Sequence, residues 1–158
     1  MPAIQIQNLH KIYLGDPPVH ALEGIDLTVN DGELVALLGP SGCGKSTLLN
    51  LIASFENASS GELLVHGESH DAPGPDRGVV FQEAALFPWL NVWENVIFGP
   101  KTKGLAASEY EDKANEMLKI VGLSDFKKHL PVQLSGGMRQ RVGIARILTL
   151  GSRVLLMD

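Results

Sequence analysis

Residues Gly39-Pro40-Ser41-Gly42-Cys43-Gly44-Lys45-Ser46-Thr47 constrain this chain more than any other stretch, because they satisfy G-x-x-x-x-G-K-[ST] at every fixed position. Glycines at this spacing let consecutive backbone N–H groups turn inward as an anion nest. A helix beginning there adds the positive end of its dipole. Such a motif needs a strand before it and a helix after it. The apolar run at 33–38 reads as a buried strand and 46–54 as a helix, so the chain is expected to be α/β. In such a loop Lys45 reaches the β- and γ-phosphate oxygens of a nucleoside triphosphate, and the Ser46 hydroxyl ligates Mg2+. Cys43 reads as a spacer, since a nucleophilic thiol wants a neighbouring base and none is identifiable.

The 158 residues suit one domain of ordinary size, and 44% hydrophobic with 20% charged residues places it in the soluble globular class. A net charge of -5 without any run of Lys or Arg argues against nucleic acid as a partner. The N-terminus lacks the pattern of a secretory signal, and no apolar run approaches a membrane span. The single cysteine excludes an internal disulfide and fits a reducing compartment. The expectation is a cytoplasmic protein that meets a membrane only through a partner.

Apolar spacing predicts strands around Ile4, Ile6 and Leu9, and at 22–29, 61–65, 78–81 and 154–157. Asn30-Asp31-Gly32 is a turn, and 70–76 is a loop rich in turn formers. Beyond Gln82 the pattern becomes helical. Ser108 to Glu111 reads as a capping box for a helix carrying Tyr110, Ala114, Met117, Leu118 and Val121, with a Glu109–Lys113 pair outside and Gly122 at its end. A further helix is expected at 136–150, stopped by Gly151.

That last helix opens with Leu134-Ser135-Gly136-Gly137-Met138-Arg139-Gln140-Arg141. Ser135 is a good N-cap, and the two glycines leave the helix start bare. A bare start with a hydroxyl is a second anion site. One nucleotide does not need two such sites from one chain, whereas two chains arranged head to tail offer one of each to each nucleotide.

Leu-Ser-Gly-Gly followed by Gln140, Arg141, Val142, Ala145 and Arg146 resembles the signature motif of ATP-binding-cassette ATPases, with Met138 where the family usually has Gln. The resemblance covers the whole chain. It implies a P-loop NTPase core with a mostly parallel central sheet, N-terminal antiparallel strands and a helical signature subdomain. Within one nucleotide-binding domain spanning 1–158, it implies a core at 1–83 and 152–158 and a helical part at 84–151. It implies ATP and Mg2+ as ligands. Tyr13 matches the aromatic that stacks on adenine. Gly39 through Thr47, with Ser135, Gly136, Gly137 and Met138, match the phosphate-binding residues. Gln82 matches the loop glutamine that reaches Mg2+ and the attacking water, and Asp158 the aspartate that holds Mg2+. Lys45, Gln82 and Asp158 are the implied catalytic set, and Ser46, Gln82 and Asp158 the implied metal set.

The stretch from Asp76 to Gln82, then Leu86-Phe87-Pro88-Trp89-Leu90-Asn91-Val92 and Asn95-Val96, is similar to the importer ATPases for taurine, alkyl sulfonates and nitrate. That branch implies a homodimer of such subunits on the cytoplasmic face of the inner membrane. Its partners would be a transmembrane permease docking near Phe87, Pro88 and Trp89, and a separate solute-binding protein. Local core packing explains those three residues equally well.

The family places a catalytic glutamate directly after the aspartate and a switch histidine on a later strand. Neither is matched within these 158 residues, and His10, His20, His66, His70 and His129 lie in the wrong places. The expectations are therefore a piece of a longer reading frame, lacking C-terminal strands, that hydrolyses ATP negligibly by itself. Two alternatives stay open. One is a non-hydrolysing ATP-binding module. The other is a DNA-repair or chromosome-maintenance ATPase, although Lys45 and Ser135 lie only ninety residues apart (135 minus 45) with no sustained heptads between them.

Overall fold

Alternating apolar residues at the N-terminus form a long strand, β1 (Pro2–Tyr13), which pairs antiparallel with β2 (Val19–Asn30) on one edge. On its other edge it pairs antiparallel with the later strand β3 (Ser60–Val65). Registers of Ile4 with Val29 and Val65, and of Ile6 with Leu27 and Leu63, gather the aliphatic side chains of the sheet. The computed structural model describes residues 2–158 and divides them into two compact units, one ending at Gly74 and one beginning at Pro75.

In the first unit, helix α1 (Lys45–Ile52) buries Leu48, Leu51 and Ile52. The expected strand at 33–38 does not form. Those residues lie in no ladder, and Leu34 is 95% and Leu38 92% exposed. An apolar run becomes a buried strand only when a neighbouring strand takes up its N–H and C=O groups. The sheet of this unit, in order β2-β1-β3, takes no further strand among the described residues.

In the second unit, β4 (Arg77–Val80) and β5 (Val154–Met157) form a parallel pair, with Gly78 opposite Leu155 and Val80 opposite Met157. Among the described residues this pair is all of the parallel sheet. A parallel pair requires a crossover, and here it carries α2 (Val92–Thr102), α3 (Ala107–Ile120) and α4 (Gly136–Leu150). Their facing stripes bury Val92, Val96, Leu118, Leu134, Val142 and Ala145 in one cluster. Gly78 matters to this packing, because a Cβ there would collide with Ile147 of α4 and with Ser152.

Two local expectations are corrected. The cap of α3 lies at Ala106 rather than Ser108: Glu109, three residues on, accepts the Ala106 N–H at 2.7 Å. Glu109 serves that cap, and its expected ion pair with Lys113 does not form among the described residues.

Candidate functional site

In the first unit, the loop before α1 folds over its own lysine. Lys45 Nζ donates to the carbonyls of Gly39 at 2.9 Å and Pro40 at 2.8 Å and lies 3.5 Å from Cys43 Sγ. The Cys43 N–H closes the turn onto the Pro40 carbonyl at 3.4 Å. No side chain caps α1 and no acidic residue stands in its first turn, so the dipole end is left for an exogenous anion. Gly44 makes the geometry possible. Its φ is +93°, and a Cβ there would sit 2.6 Å from the Ala21 carbonyl oxygen and 2.7 Å from Leu22 Cδ2. Ser41, Gly42, Cys43 and Ser46 are exposed around this turn, and Thr47 is half-buried.

Tyr13 ends β1, 37% exposed, with its hydroxyl donating to Glu56 Oε2 at 2.7 Å. Lys11 Nζ stands 4.9 Å over its ring and 3.1 Å from the same carboxylate oxygen.

In the second unit, Gln82 and Asp158 follow the carboxyl ends of two strands paired side by side. The Asp158 N–H donates to the Val80 carbonyl at 3.1 Å, which continues the ladder to the aspartate. Ligands of open α/β sheets bind off such strand ends. Ser135 caps α4, its Oγ accepting the Met138 N–H at 3.2 Å, which leaves the hydroxyl proton for an incoming oxygen. Ser135, Gly136 and Gly137 are exposed, and a Cβ at Gly137 would touch nothing within 4 Å. The Met138 side chain instead packs against the apolar cluster. A cavity of about 600 Å3 is lined by Gln82, Glu83, Ala84, Gly136, Gly137, Arg139 and Gln140. The glutamine loop and the bare helix start thus share one opening.

Ser46 in the first unit, and Gln82 and Asp158 in the second, carry oxygen donors (hydroxyl, amide and carboxylate) of the hard type that Mg2+ prefers.

Three residues hold this arrangement: Glu56, which the sequence does not single out, and Gln140 and Asn95, which it offers only as members of motifs with no role of their own. Glu56 fixes Tyr13. Gln140 Nε2 donates to the Phe81 carbonyl at 2.8 Å, tying the first turn of α4 to the residue before Gln82. Asn95, fully buried, accepts from the Phe87 N–H and donates to the carbonyls of Phe87, Leu90 and Asn91 at 2.9 to 3.1 Å. An Asn just past a turn is a known mimic of turn backbone, and that was the available signal for Asn95. The aromatic turn it secures is split in role. Phe87 packs on Phe98 at 4.3 Å with the Arg146 guanidinium 5.6 Å from its ring, whereas Trp89 is 71% exposed. Burial lowers the Arg146 pKa from its ordinary range.

The sequence profile of the family described as ABC transporter matches residues 22–158. The chain is 49% identical over 155 residues to the taurine import ATP-binding protein TauB of Escherichia coli (strain K12), covering 98% of this chain and 60% of that protein. To TauB of Ruegeria pomeroyi it is 47% identical over 140 residues, covering 89% and 52%. The solved structure of cbiO1 from Clostridium perfringens, part of the ABC transporter complex cbiONQ, matches with a TM-score of 0.87 at 30% identity, over 99% of this chain and 65% of that one. The ATP-binding cassette MJ0796, dimeric and bound to ADP and Pi, matches with a TM-score of 0.85 at 34% identity, over 98% and 73%. The chain spans 60% or less of the length of these two curated relatives.

Proposed function

Because this chain belongs to the ABC transporter family of ATPases, we propose that it is the ATP-binding part of an importer taking up taurine or a related small anion. The observation that carries the reading is the pair of bare helix starts, one behind Gly44-Lys45 and one behind Ser135. Each is open to an anion, and one nucleotide uses only one of them from a given chain.

The roles follow from the chemistry. Lys45, tethered to its own loop, holds a fixed positive charge for the β- and γ-phosphates of substrate ATP, and the amides of 41–47 cradle the rest. Mg2+, when bound, neutralises charge developing on the phosphates. Ser46 and Asp158 supply oxygen ligands for it, and Gln82 orients water. Ser135, with the amides of Gly136 and Gly137, serves the γ-phosphate of a second copy's nucleotide, so two copies close as a two-fold pair. Met138 supports that helix start from the packed side. Trp89 offers an aromatic anchor to a permease at the membrane's cytoplasmic face, where a separate solute-binding protein would deliver the anion. Among the described residues no helix is long and apolar enough to cross a membrane. In this reading 1–83 and 152–158 form the nucleotide-binding core and 84–151 the helical part of one domain.

The test is uptake of labelled taurine by cells in which the gene for this chain carries Lys45→Ala. Uptake should fall to the level of a gene deletion, at least about tenfold for a lost P-loop charge. Uptake equal to the parent strain's would overturn the assignment.

A further inference from the structure

We propose that Glu56 is a positioning residue for base recognition, a strut that holds the Tyr13 ring at a fixed reach from the phosphate loop and so favours an adenine nucleotide over bare phosphates. The proposal rests on Tyr13 being the base shelf, and it lies wholly within the first unit.

Helix α1 begins at the phosphate loop. Two residues before its end, Asn50 sends Nδ2 to Glu56 Oε1 at 3.3 Å, and the Asn50 carbonyl accepts the Phe55 N–H at 2.9 Å. The other Glu56 oxygen, Oε2, receives Tyr13 Oη at 2.7 Å and Lys11 Nζ at 3.1 Å. Lys11 also donates to the Asn57 carbonyl at 2.8 Å. One carboxylate therefore joins the phosphate helix to the last turnable side chain of β1. A tyrosine at a strand end is otherwise free to swing about χ1 and χ2, and a shelf that swings surrenders stacking energy to ordering entropy. With its hydroxyl anchored and Lys11 over one face, the ring, 37% exposed, is held in place to stack on a base. The Tyr13 hydrogen bond, against the opposing effect of partial burial, holds the Glu56 carboxyl below its ordinary pKa, so the strut stays ionised at neutral pH.

The experiment is calorimetric titration of the full chain with Mg-ATP and, separately, with inorganic tripolyphosphate. In Glu56→Leu the ATP affinity should fall roughly tenfold while tripolyphosphate binding changes less than about twofold, since stacking is lost and the cradle is not. Glu56→Gln, which keeps an acceptor for Tyr13 Oη, should recover part of the loss. Tyr13→Phe removes only the anchored hydroxyl and should lower the ATP-to-tripolyphosphate ratio about threefold to fivefold. Tyr13→Ala tests the underlying reading, and an unchanged ratio there would remove the shelf itself. A ratio that collapses in Tyr13→Ala but survives in both Glu56→Leu and Tyr13→Phe overturns the strut alone. Equal weakening of both ligands in Glu56→Leu also overturns it, because that marks a general packing role. Should Glu56→Leu fail to fold, the Tyr13→Phe ratio decides.

Discussion

A single missing Cβ decides whether the phosphate loop closes. Gly44 turns left-handed into α1 beneath the Ala21 carbonyl, with no room for a methyl group. Gly44→Ala is expected to lower stability in urea unfolding by about 1–3 kcal/mol, with ATP affinity falling further than that loss alone would give. An unaltered midpoint would mean the loop relaxes at no cost. At this scale the motif residues were legible, because G-x-x-x-x-G-K-S states its chemistry in adjacent letters. The contacts of Glu56 and Gln140 were not. Their partners lie 43 and 59 residues away, and only folded topology brings such residues together.

At the scale of elements, α2 depends on Asn95 as much as on its apolar stripe. The Asn91–Glu94 box starts the helix, and Asn95 then gathers the turn before it. Asn95→Ala leaves the Phe87 N–H and the Leu90 carbonyl short of a partner, while the Phe87 and Asn91 carbonyls keep the backbone N–H groups of Leu90 and Asn95, and stability should drop by roughly 2–3 kcal/mol. Amide exchange at Phe87 should accelerate well beyond that of the Val92 to Val96 core. Equal acceleration across the whole helix would instead indicate general unfolding. Periodicity located β1, β2, β3, α3, α4 and β5 to within a few residues, because each has a buried neighbour that its pattern anticipates. It failed at 33–38. There Leu34, Val35 and Leu38 carry the letters of a central strand, but no ladder among the described residues receives them. Strand character lies half in the neighbour, and a sequence window sees one side only.

At the scale of the whole molecule, the α/β class and the family were legible early, since phosphate loop, glutamine, Leu-Ser-Gly-Gly and aspartate follow in that order from Gly39 to Asp158. The shared opening of Gln82 with Gly136 and Gly137 was not, because it depends on how the crossover returns α4 against β4. The uncovered leucines of 34–38 bear on lifetime as well as architecture. Wet aliphatic side chains on unladdered backbone are what holdase chaperones grip and what proteases thread. Thermolysin should therefore nick between Asp31 and Gly39 before any helix yields, and peptide mapping would reveal a first cut elsewhere. Since this stretch runs straight into the triphosphate cradle, saturating Mg-ATP should slow that cut, making nucleotide supply a determinant of how long the polypeptide survives.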